Sequence, residues 1–302
     1  MKGRENMKYK IVKSFKDGNL WYKIKSLILG KLLQMNHFQM VVIYRQMILN
    51  KYKRKYSKKI EYHKYELQTP VKKVWVCWFQ GRDNAPLIVK KSIDSIYEKF
   101  TDWEIHFLTK ENLYQYIDMP AYIIEKWEKG IITHTHFSDI VRINLLFIHG
   151  GLWVDATTYF TDKFPDYLIN SDLFYYNHLD CNDYALVMDS WLIYAKPQNP
   201  ILGQVQNLLF LYWKKKKHLC EYFLAHLFFE IVLEKYPEEW DKIPYKNSID
   251  AHILIKYINK KYDESEFEFI KSQSFCHKLN YKCTLNEELA NTYYKKLIKG
   301  IE

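Results

Sequence analysis

The stretch that decides the fold is 138–155, with the sequence Ser-Asp-Ile-Val-Arg-Ile-Asn-Leu-Leu-Phe-Ile-His-Gly-Gly-Leu-Trp-Val-Asp. Asp139 and Arg142 are three residues apart, so a helix places them on one face. The glycine pair then predicts a tight turn into a short buried strand. That strand ends at Asp155, and ligand sites of open α/β sheets lie at the carboxyl ends of strands. The stretch therefore predicts an α/β fold whose site contains an acid, a base and a second acid.

Strands and helices also alternate on both sides of this stretch. Lys73–Phe79 and Glu104–Leu108 have the pattern of buried strands, and a helical pattern from Ala85 to Phe100 lies between them. This alternation predicts a doubly wound α/β layer. The later half of the chain is more helical, with predicted helices at 201–215, 220–235 and 251–258.

Composition limits the class of protein. The chain has 302 residues, of which 48% are hydrophobic; this is ample for a packed core and excludes global disorder. No apolar run approaches the ~18 residues of a membrane span, and no signal-peptide pattern is present. Five scattered cysteines without a CxxC pair argue against a disulfide framework. We therefore expect a cytoplasmic protein.

Charge divides the chain. Residues 1–64 contain 17 Lys plus Arg and 3 Asp plus Glu, a net charge of +14, whereas the whole chain carries +10, so the remainder carries −4. All 8 prolines lie at Pro70 or later. The sequence therefore predicts a basic helical segment over 1–69 and a second domain over 70–302.

The basic segment has two distinct features. Apolar residues recur at the spacing of an amphipathic helix, at Trp21, Ile24, Leu27, Ile28 and Leu32. The stretch 51–59 then contains six basic residues among nine. Such a segment is typical of a solvated helical face or of a peripheral contact between residues 1–64 and an anionic membrane surface. Nucleic acid is not an expected partner, because no recognition motif accompanies the charge.

The motif order Ser-Asp-x-x-Arg, a helix's length, and Gly-Gly-x-Trp-x-Asp resembles the sugar-nucleotide glycosyltransferases with a DXD motif, and within them the bacterial capsular polysaccharide synthesis proteins. The stretches 74–81, 191–200 and 275–282 resemble the opening strand, mid-domain segment and C-terminal motif of that family. The resemblance covers roughly 70–285. It implies a GT-A-like (Rossmann-like) domain that transfers a sugar, with retention, from a nucleotide sugar such as a UDP-sugar to a surface glycan, lipid-linked acceptors included.

The resemblance also implies roles for individual residues. Asp155, Asp139 and Arg142 would be catalytic, and Asp139 and Arg142 would also bind the donor. The other implied donor-binding residues are Trp78, Phe79, Gln80, Thr157, Lys278 and Lys282. Without the resemblance, the aromatic residues are equally typical of a core, and Asp139 with Arg142 of a surface ion pair.

A divalent cation is a further expectation from the resemblance. Asp155 and His277 would hold Mn²⁺ or Mg²⁺ beside the donor diphosphate. Thr157 stands where the wider class has a second aspartate, and a hydroxyl is a weaker ligand than a carboxylate for a hard cation. For the acceptor, Asp189 and Trp191 are the candidates, although Trp191 is equally typical of a core.

Two other functions fit parts of the sequence. His134 and His136 form a His-x-His pair that also occurs in metal-dependent hydrolases, although two histidines are too few for a metal site. A non-catalytic basic protein that binds membrane or nucleic acid is the second alternative. In that protein, residues 70–302 would be dispensable.

Overall fold

The computed structural model describes residues 19–64, 66, 68–178, 183, 185–285 and 288–300. Its strands are β1 (Lys73–Cys77), β2 (Glu104–Leu108), β3 (Gly151–Asp155), β4 (Thr158–Phe160), β5 (Leu173–Asn177), β6 (Met188–Ala195) and β7 (Cys276–Lys278). Its helices are α1 (Leu20–Leu32), α2 (His37–Tyr56), α3 (Leu87–Lys99), α4 (Ala121–Glu128), α5 (His134–His149), α6 (Asp166–Ile169), α7 (Pro200–Lys215), α8 (Leu224–Leu233), α9 (Pro237–Trp240), α10 (Ile253–Tyr257) and α11 (Glu264–Gln273). Short 3-10 turns occur at Ser57–Lys59, Leu113–Gln115 and Asp250–His252, and a π-helical turn at Tyr294–Lys299. None of the helices in these ranges is long and apolar enough to cross a membrane.

The central sheet has five strands in the order β2-β1-β3-β6-β5, and β4 pairs with β7 in a separate two-stranded ribbon. Strand β1 is parallel to both β2 and β3. The pairs β3–β6 and β6–β5 are antiparallel. The predicted α/β fold is therefore confirmed, but the sheet is mixed, and its antiparallel half was not predicted. Because Cys77 lies opposite both Leu108 and Asp155, the three parallel strands end at one edge.

The turn between α5 and β3 depends on its two glycines. Gly150 has φ +66° and Gly151 has φ +98°, and a Cβ on Gly151 would lie 2.6 Å from the carbonyl oxygen of Lys73 on β1. Only glycine adopts this conformation at such close approach without strain. The turn makes α5 antiparallel to β3, so the beginning of α5 lies at the edge where β3 ends.

The sheet separates two apolar layers, as the alternation of side chains along a strand requires. Val74 and Val76 of β1 pack on the side of α3. Trp75, between them, packs on the opposite side with α2, α5, α7 and α8.

Helix α2 belongs to this second layer. Tyr44, Ile48, Tyr52 and Tyr56 recur every four residues and are buried in the same core as the sheet. Arg45 is also buried and pairs with Asp183 and with Glu221. Net charge and proline content describe the composition of the segment. They do not show that one face of α2 is buried. Helix α2 therefore shares its core with the sheet, and residues 1–18 of the predicted basic segment lie outside the described residues.

Candidate functional site

A cavity of about 640 Å³ opens at the carboxyl edge of the parallel strands. Its walls come from the ends of β1 and β3, the beginning of α5, the α10 region and the segment around the end of β7. The cavity therefore lies at the sheet edge that the sequence predicted for the site.

Asp155 lies between two cations in this cavity. Its Oδ2 is 2.7 Å from Lys278 Nζ, and its Oδ1 is 3.4 Å from Arg142 Nη2. Trp153 Nε1 also donates to Oδ1 at 3.1 Å, so both carboxylate oxygens have partners. Burial raises the pKa of Asp155, but Lys278 and Arg142 outweigh it and hold that pKa below its ordinary value. Asp155 is therefore a carboxylate at neutral pH.

Lys278 also contacts Thr157. Its Nζ donates to Thr157 Oγ1 at 2.8 Å. The ammonium group thus lies between Asp155 and Thr157, both of which line the cavity. A positive charge is consequently built into this position by the chain itself.

Arg142 is held from several sides. Its Nη1 donates to the carbonyl oxygen of Ser190 and, at 2.6 Å, to Ser190 Oγ. Its guanidinium lies over the ring of Trp153, 5.2 Å from the centroid. Since it also lines the cavity, it presents a fixed, planar set of donors to a ligand.

Asp139 lies behind Arg142. Its Oδ1 is 3.3 Å from Arg142 Nη2, and its Oδ2 is 3.4 Å from His136 Nδ1. Burial raises the pKa of Asp139, but Arg142 and His136 lower it below its ordinary value. Asp139 is buried and is not among the residues that line the cavity. The predicted contact between Asp139 and the donor sugar is therefore not supported, and Asp139 positions Arg142 instead.

The predicted base-binding residues share this cavity. Trp78, Phe79 and Gln80 all line it, and Gln80 is exposed. Phe79 packs against Trp127 at 5.2 Å between centroids. The ring of Trp78 meets Tyr281 edge-on at 5.3 Å. An aromatic end and a cationic end therefore belong to one cavity.

The C-terminal motif contains three candidate residues, and one of them lines the cavity. Lys278 enters the cavity, whereas Lys282 is exposed and is not part of its lining. His277 is fully buried, and its Nε2 is 3.0 Å from Thr161 Oγ1. Burial lowers the pKa of His277 to about 4. Neighbouring side chains on a strand point to opposite faces, so His277 and Asp155 are not brought together as a metal pair.

Neither predicted acceptor residue lines the cavity. Trp191 is buried and stacks on Tyr176 with centroids 4.5 Å apart. Asp189 pairs with His178, whose Nδ1 is 2.8 Å from its Oδ1. Both belong to β6, inside the sheet, where the ring of Trp191 is covered. Trp191 is therefore a core residue, which is the second of the two interpretations that its sequence context allowed.

The His-x-His pair does not form a metal site. His134 Nδ1 accepts from the indole of Trp127 at 2.9 Å, and His136 Nε2 accepts from the indole of Trp213 at 3.0 Å. Residues two apart on a helix do not face each other. Within the described ranges, no group of three His, Cys, Asp or Glu residues is arranged to hold a metal. The hydrolase alternative is therefore wrong in its proposed metal ligands.

The α10 region adds two wall residues outside the quoted motifs, of which His252 was a weaker acceptor candidate and Lys256 was missed. His252 and Lys256 line the cavity from the α10 region, and Lys256 is exposed there. No ion pair of Lys256 occurs among the described residues. Nothing near them in the sequence indicates a ligand site, because only the tertiary fold brings α10 to the sheet edge.

The chain is similar to two curated O-glycosyltransferases over about a third of its length. It is 30% identical over 100 residues to O-glycosyltransferase braB of Annulohypoxylon truncatum, which covers 30% of this chain and 24% of that protein. It is 29% identical over 94 residues to O-glycosyltransferase PaGT of Phomopsis amygdali, covering 28% and 23%. The chain thus spans about a quarter of the length of these curated relatives.

Similar solved structures are more distant. The PaToxG glycosyltransferase covers 68% of this chain and 84% of its own, with 14% identity and a TM-score of 0.38. A transferase solved as a mutant with two cysteines replaced by serine covers 61% and 95%, with 10% identity and a TM-score of 0.37. By contrast, a family match extends over residues 27–297, from α1 to the C-terminal π-helical turn. The chain belongs to the capsular polysaccharide synthesis protein family.

Proposed function

We propose that the chain is a GT-A-like glycosyltransferase that transfers a sugar from a nucleotide-sugar donor, with UDP as the nucleotide, to a surface glycan. The observation that carries the proposal is the single cavity that combines Arg142, Asp155 and Lys278 with an aromatic end. Family membership and the two O-glycosyltransferase relatives support the same class of reaction.

The two ends of the cavity match the two parts of such a donor. Trp78 or Phe79 would stack on the uracil, and Gln80 would hydrogen-bond its edge or the ribose. Arg142 and Lys278 would bind the diphosphate, because charge-assisted hydrogen bonds to phosphate oxygens are among the stronger ones. Lys256 adds a further cation on the wall.

A resident Mn²⁺ or Mg²⁺ fits these residues poorly. The ammonium of Lys278 lies 2.7 Å from Asp155 Oδ2 and 2.8 Å from Thr157 Oγ1, where an ion bound by this pair would sit. His277, the other expected ligand, is bonded to Thr161. We therefore assign the stabilisation of the leaving diphosphate to Lys278 and Arg142. The expected requirement for a divalent cation can therefore be tested, and it would contradict this assignment.

Retention with a front-face mechanism is the chemistry that we propose. Asp155 is the one carboxylate among the described residues that line the cavity, and both of its oxygens have partners. It is thus a poor covalent nucleophile. The bond from the anomeric carbon to the phosphate oxygen breaks while the acceptor oxygen bonds on the same face. The acceptor proton passes to the leaving diphosphate, which Arg142 and Lys278 stabilise.

The acceptor would be a growing cell-surface glycan, including a lipid-linked one. Such an acceptor would be reached at the inner face of the cell membrane, with the protein cytoplasmic and peripheral. No acceptor-binding residue is assigned, since Trp191 is covered by Tyr176.

Calorimetry with UDP, GDP and their sugars tests the proposal. UDP and one UDP-sugar should bind, and Arg142→Ala should weaken both by roughly 100-fold, since the lost contact is charge-assisted. Lys129→Ala, which changes an exposed i,i+4 ion pair elsewhere, should bind as wild type. Equal binding by Arg142→Ala, or no nucleotide binding at all, would reject the assignment. NMR of the product anomer then tests retention.

A further inference from the structure

Helix α1 carries a stripe of exposed large apolar residues. It packs on the protein through small residues, since Ser26 and Gly30 are its buried positions. Five of its large apolar residues are exposed, at 65% for Trp21, 38% for Ile24, 54% for Leu27, 50% for Ile28 and 73% for Leu32. At 3.6 residues per turn they cover about 140° of the helix circumference. A surface helix normally buries such a stripe, so this stripe needs another apolar environment.

Gly30 fixes this orientation. A Cβ at residue 30 would lie 2.3 Å from the sulfur of Met40 on α2, so the glycine leaves the space against α1 that the Met40 side chain occupies. Because the small residues face α2, the large ones on the other side of α1 must face outward. The stripe also continues past the helix through Leu33, which is 61% exposed, and Phe38, which is 47% exposed.

A cluster of lysines adjoins this stripe. Lys51 Nζ of α2 donates to Asn19 Oδ1 at 3.2 Å and lies 5.0 Å from the ring centroid of Tyr22 in α1. Burial and the charge of Lys216 lower the pKa of Lys51. Burial and the charges of Lys216 and Lys215 do the same to the pKa of Lys55. The end of α7 therefore joins the basic run of α2, although about 160 residues separate them in the sequence.

We propose that α1 lies in the surface of an anionic lipid bilayer, with its apolar stripe among the acyl chains and the lysine cluster on the lipid headgroups. An apolar stripe next to concentrated positive charge is complementary to such a surface. With 13 residues, α1 is about 20 Å long, which suits a helix in the plane of the interface and not across it. The proposal stands independently of the donor chemistry.

Vesicle flotation of the full chain tests the proposal. Vesicles of phosphatidylcholine with about 30% phosphatidylglycerol should carry the protein up the gradient, and pure phosphatidylcholine vesicles should carry much less. Each lysine near an anionic surface raises the affinity about fivefold at low salt. Binding should therefore weaken steeply between about 0.05 and 0.5 M NaCl. A protein that ignores the anionic vesicles at low salt would overturn the proposal.

Two variants distinguish the contribution of the apolar stripe to vesicle binding from the contribution of the lysine cluster. Leu27→Ser/Ile28→Ser/Leu32→Ser should lower the vesicle affinity at least tenfold, while UDP binding and Tm stay those of wild type. Lys55→Gln/Lys215→Gln/Lys216→Gln should remove most of the salt dependence. Phe269→Ser is the matched control, because Phe269 is 60% exposed on α11, and it should change neither quantity.

A different partner on the apolar stripe would give a different experimental result. If a second copy of the chain covers the stripe, light scattering should show a dimer that the triple serine variant abolishes, and this would overturn the proposal.

Fluorescence quenching by brominated lipids tests directly whether α1 enters the acyl region. These lipids should quench part of the tryptophan fluorescence in wild type and less of it in Trp21→Phe, and equal quenching would place Trp21 outside the acyl region and contradict the proposal.

Discussion

Lys278→Met removes the positive charge between Asp155 and Thr157 and keeps a side chain of similar length. The ammonium lies 2.7 and 2.8 Å from its two oxygen partners, so a phosphate oxygen that replaced either would lie about 3 Å away. At an effective dielectric constant of about 20, that contact has a gross energy of about 5 to 6 kcal/mol. Desolvation offsets part of this, and truncating one partner of a buried charge pair costs about 2–4 kcal/mol. We therefore expect kcat/KM and the affinity for UDP to fall roughly 30- to 1,000-fold.

The assay is UDP binding by calorimetry, followed by transfer from whichever UDP-sugar binds, each with EDTA and with Mn²⁺. Lys282→Met is the matched comparison, since Lys282 is exposed and outside the cavity lining, and it should stay within about twofold of wild type. Wild-type activity of Lys278→Met in EDTA would refute the role of the ammonium. Recovery of this variant by Mn²⁺ would instead show that Asp155 and Thr157 hold a metal ion.

Three further substitutions test the parts that support the site. Gly151→Ala should lower the free energy of unfolding by about 3 kcal/mol in urea because of its positive φ and tight contact, whereas Gly130→Ala, with open space around it, should cost about 1 kcal/mol. Asp139→Asn should lower kcat/KM about 10- to 100-fold by loosening Arg142, and unchanged kinetics would make Asp139 merely structural. Burial and a neighbouring glutamate raise the pKa of Glu230 to about 7, so its protonated form stabilises the fold at low pH and this stability is lost as pH rises through 7. Glu230→Gln should therefore raise the Tm at pH 8 and change it little at pH 5; the opposite order would contradict the shift.

Local sequence pattern was sufficient to predict one part of the candidate site. The helix with Asp139 and Arg142 and the strand that ends at Asp155 form as expected, and the structure puts Arg142 and Asp155 3.4 Å apart. Helix periodicity, the glycine turn and a parallel strand suffice for this geometry. The strand Glu104–Leu108 was also predicted with its observed bounds.

The other features of the fold and of the candidate site depend on contacts between residues that are far apart in the sequence. No local signal shows that β6 runs antiparallel to β3, so Trp191 was offered as an acceptor platform although the sheet covers it. The ribbon of β4 and β7 decides which residue of the C-terminal motif reaches the cavity. Neighbouring residues of a strand point to opposite faces, so Lys278 lines the cavity, as the resemblance implied, while His277 next to it is buried.

The charges around the cavity suggest why a threonine serves where related motifs have a second carboxylate. Among the described residues that line the cavity, Arg142, Lys278 and Lys256 are cations and Asp155 is the one carboxylate, which leaves two positive charges for an anionic ligand. An aspartate at position 157 would cancel one of these charges and would compete with Asp155 for the ammonium of Lys278. With a neutral hydroxyl there, Lys278 stays bonded to both neighbours and its charge is available from the folded chain. We therefore propose that Lys278, held between Asp155 and Thr157, supplies the positive charge that a metal ion would supply beside a second carboxylate.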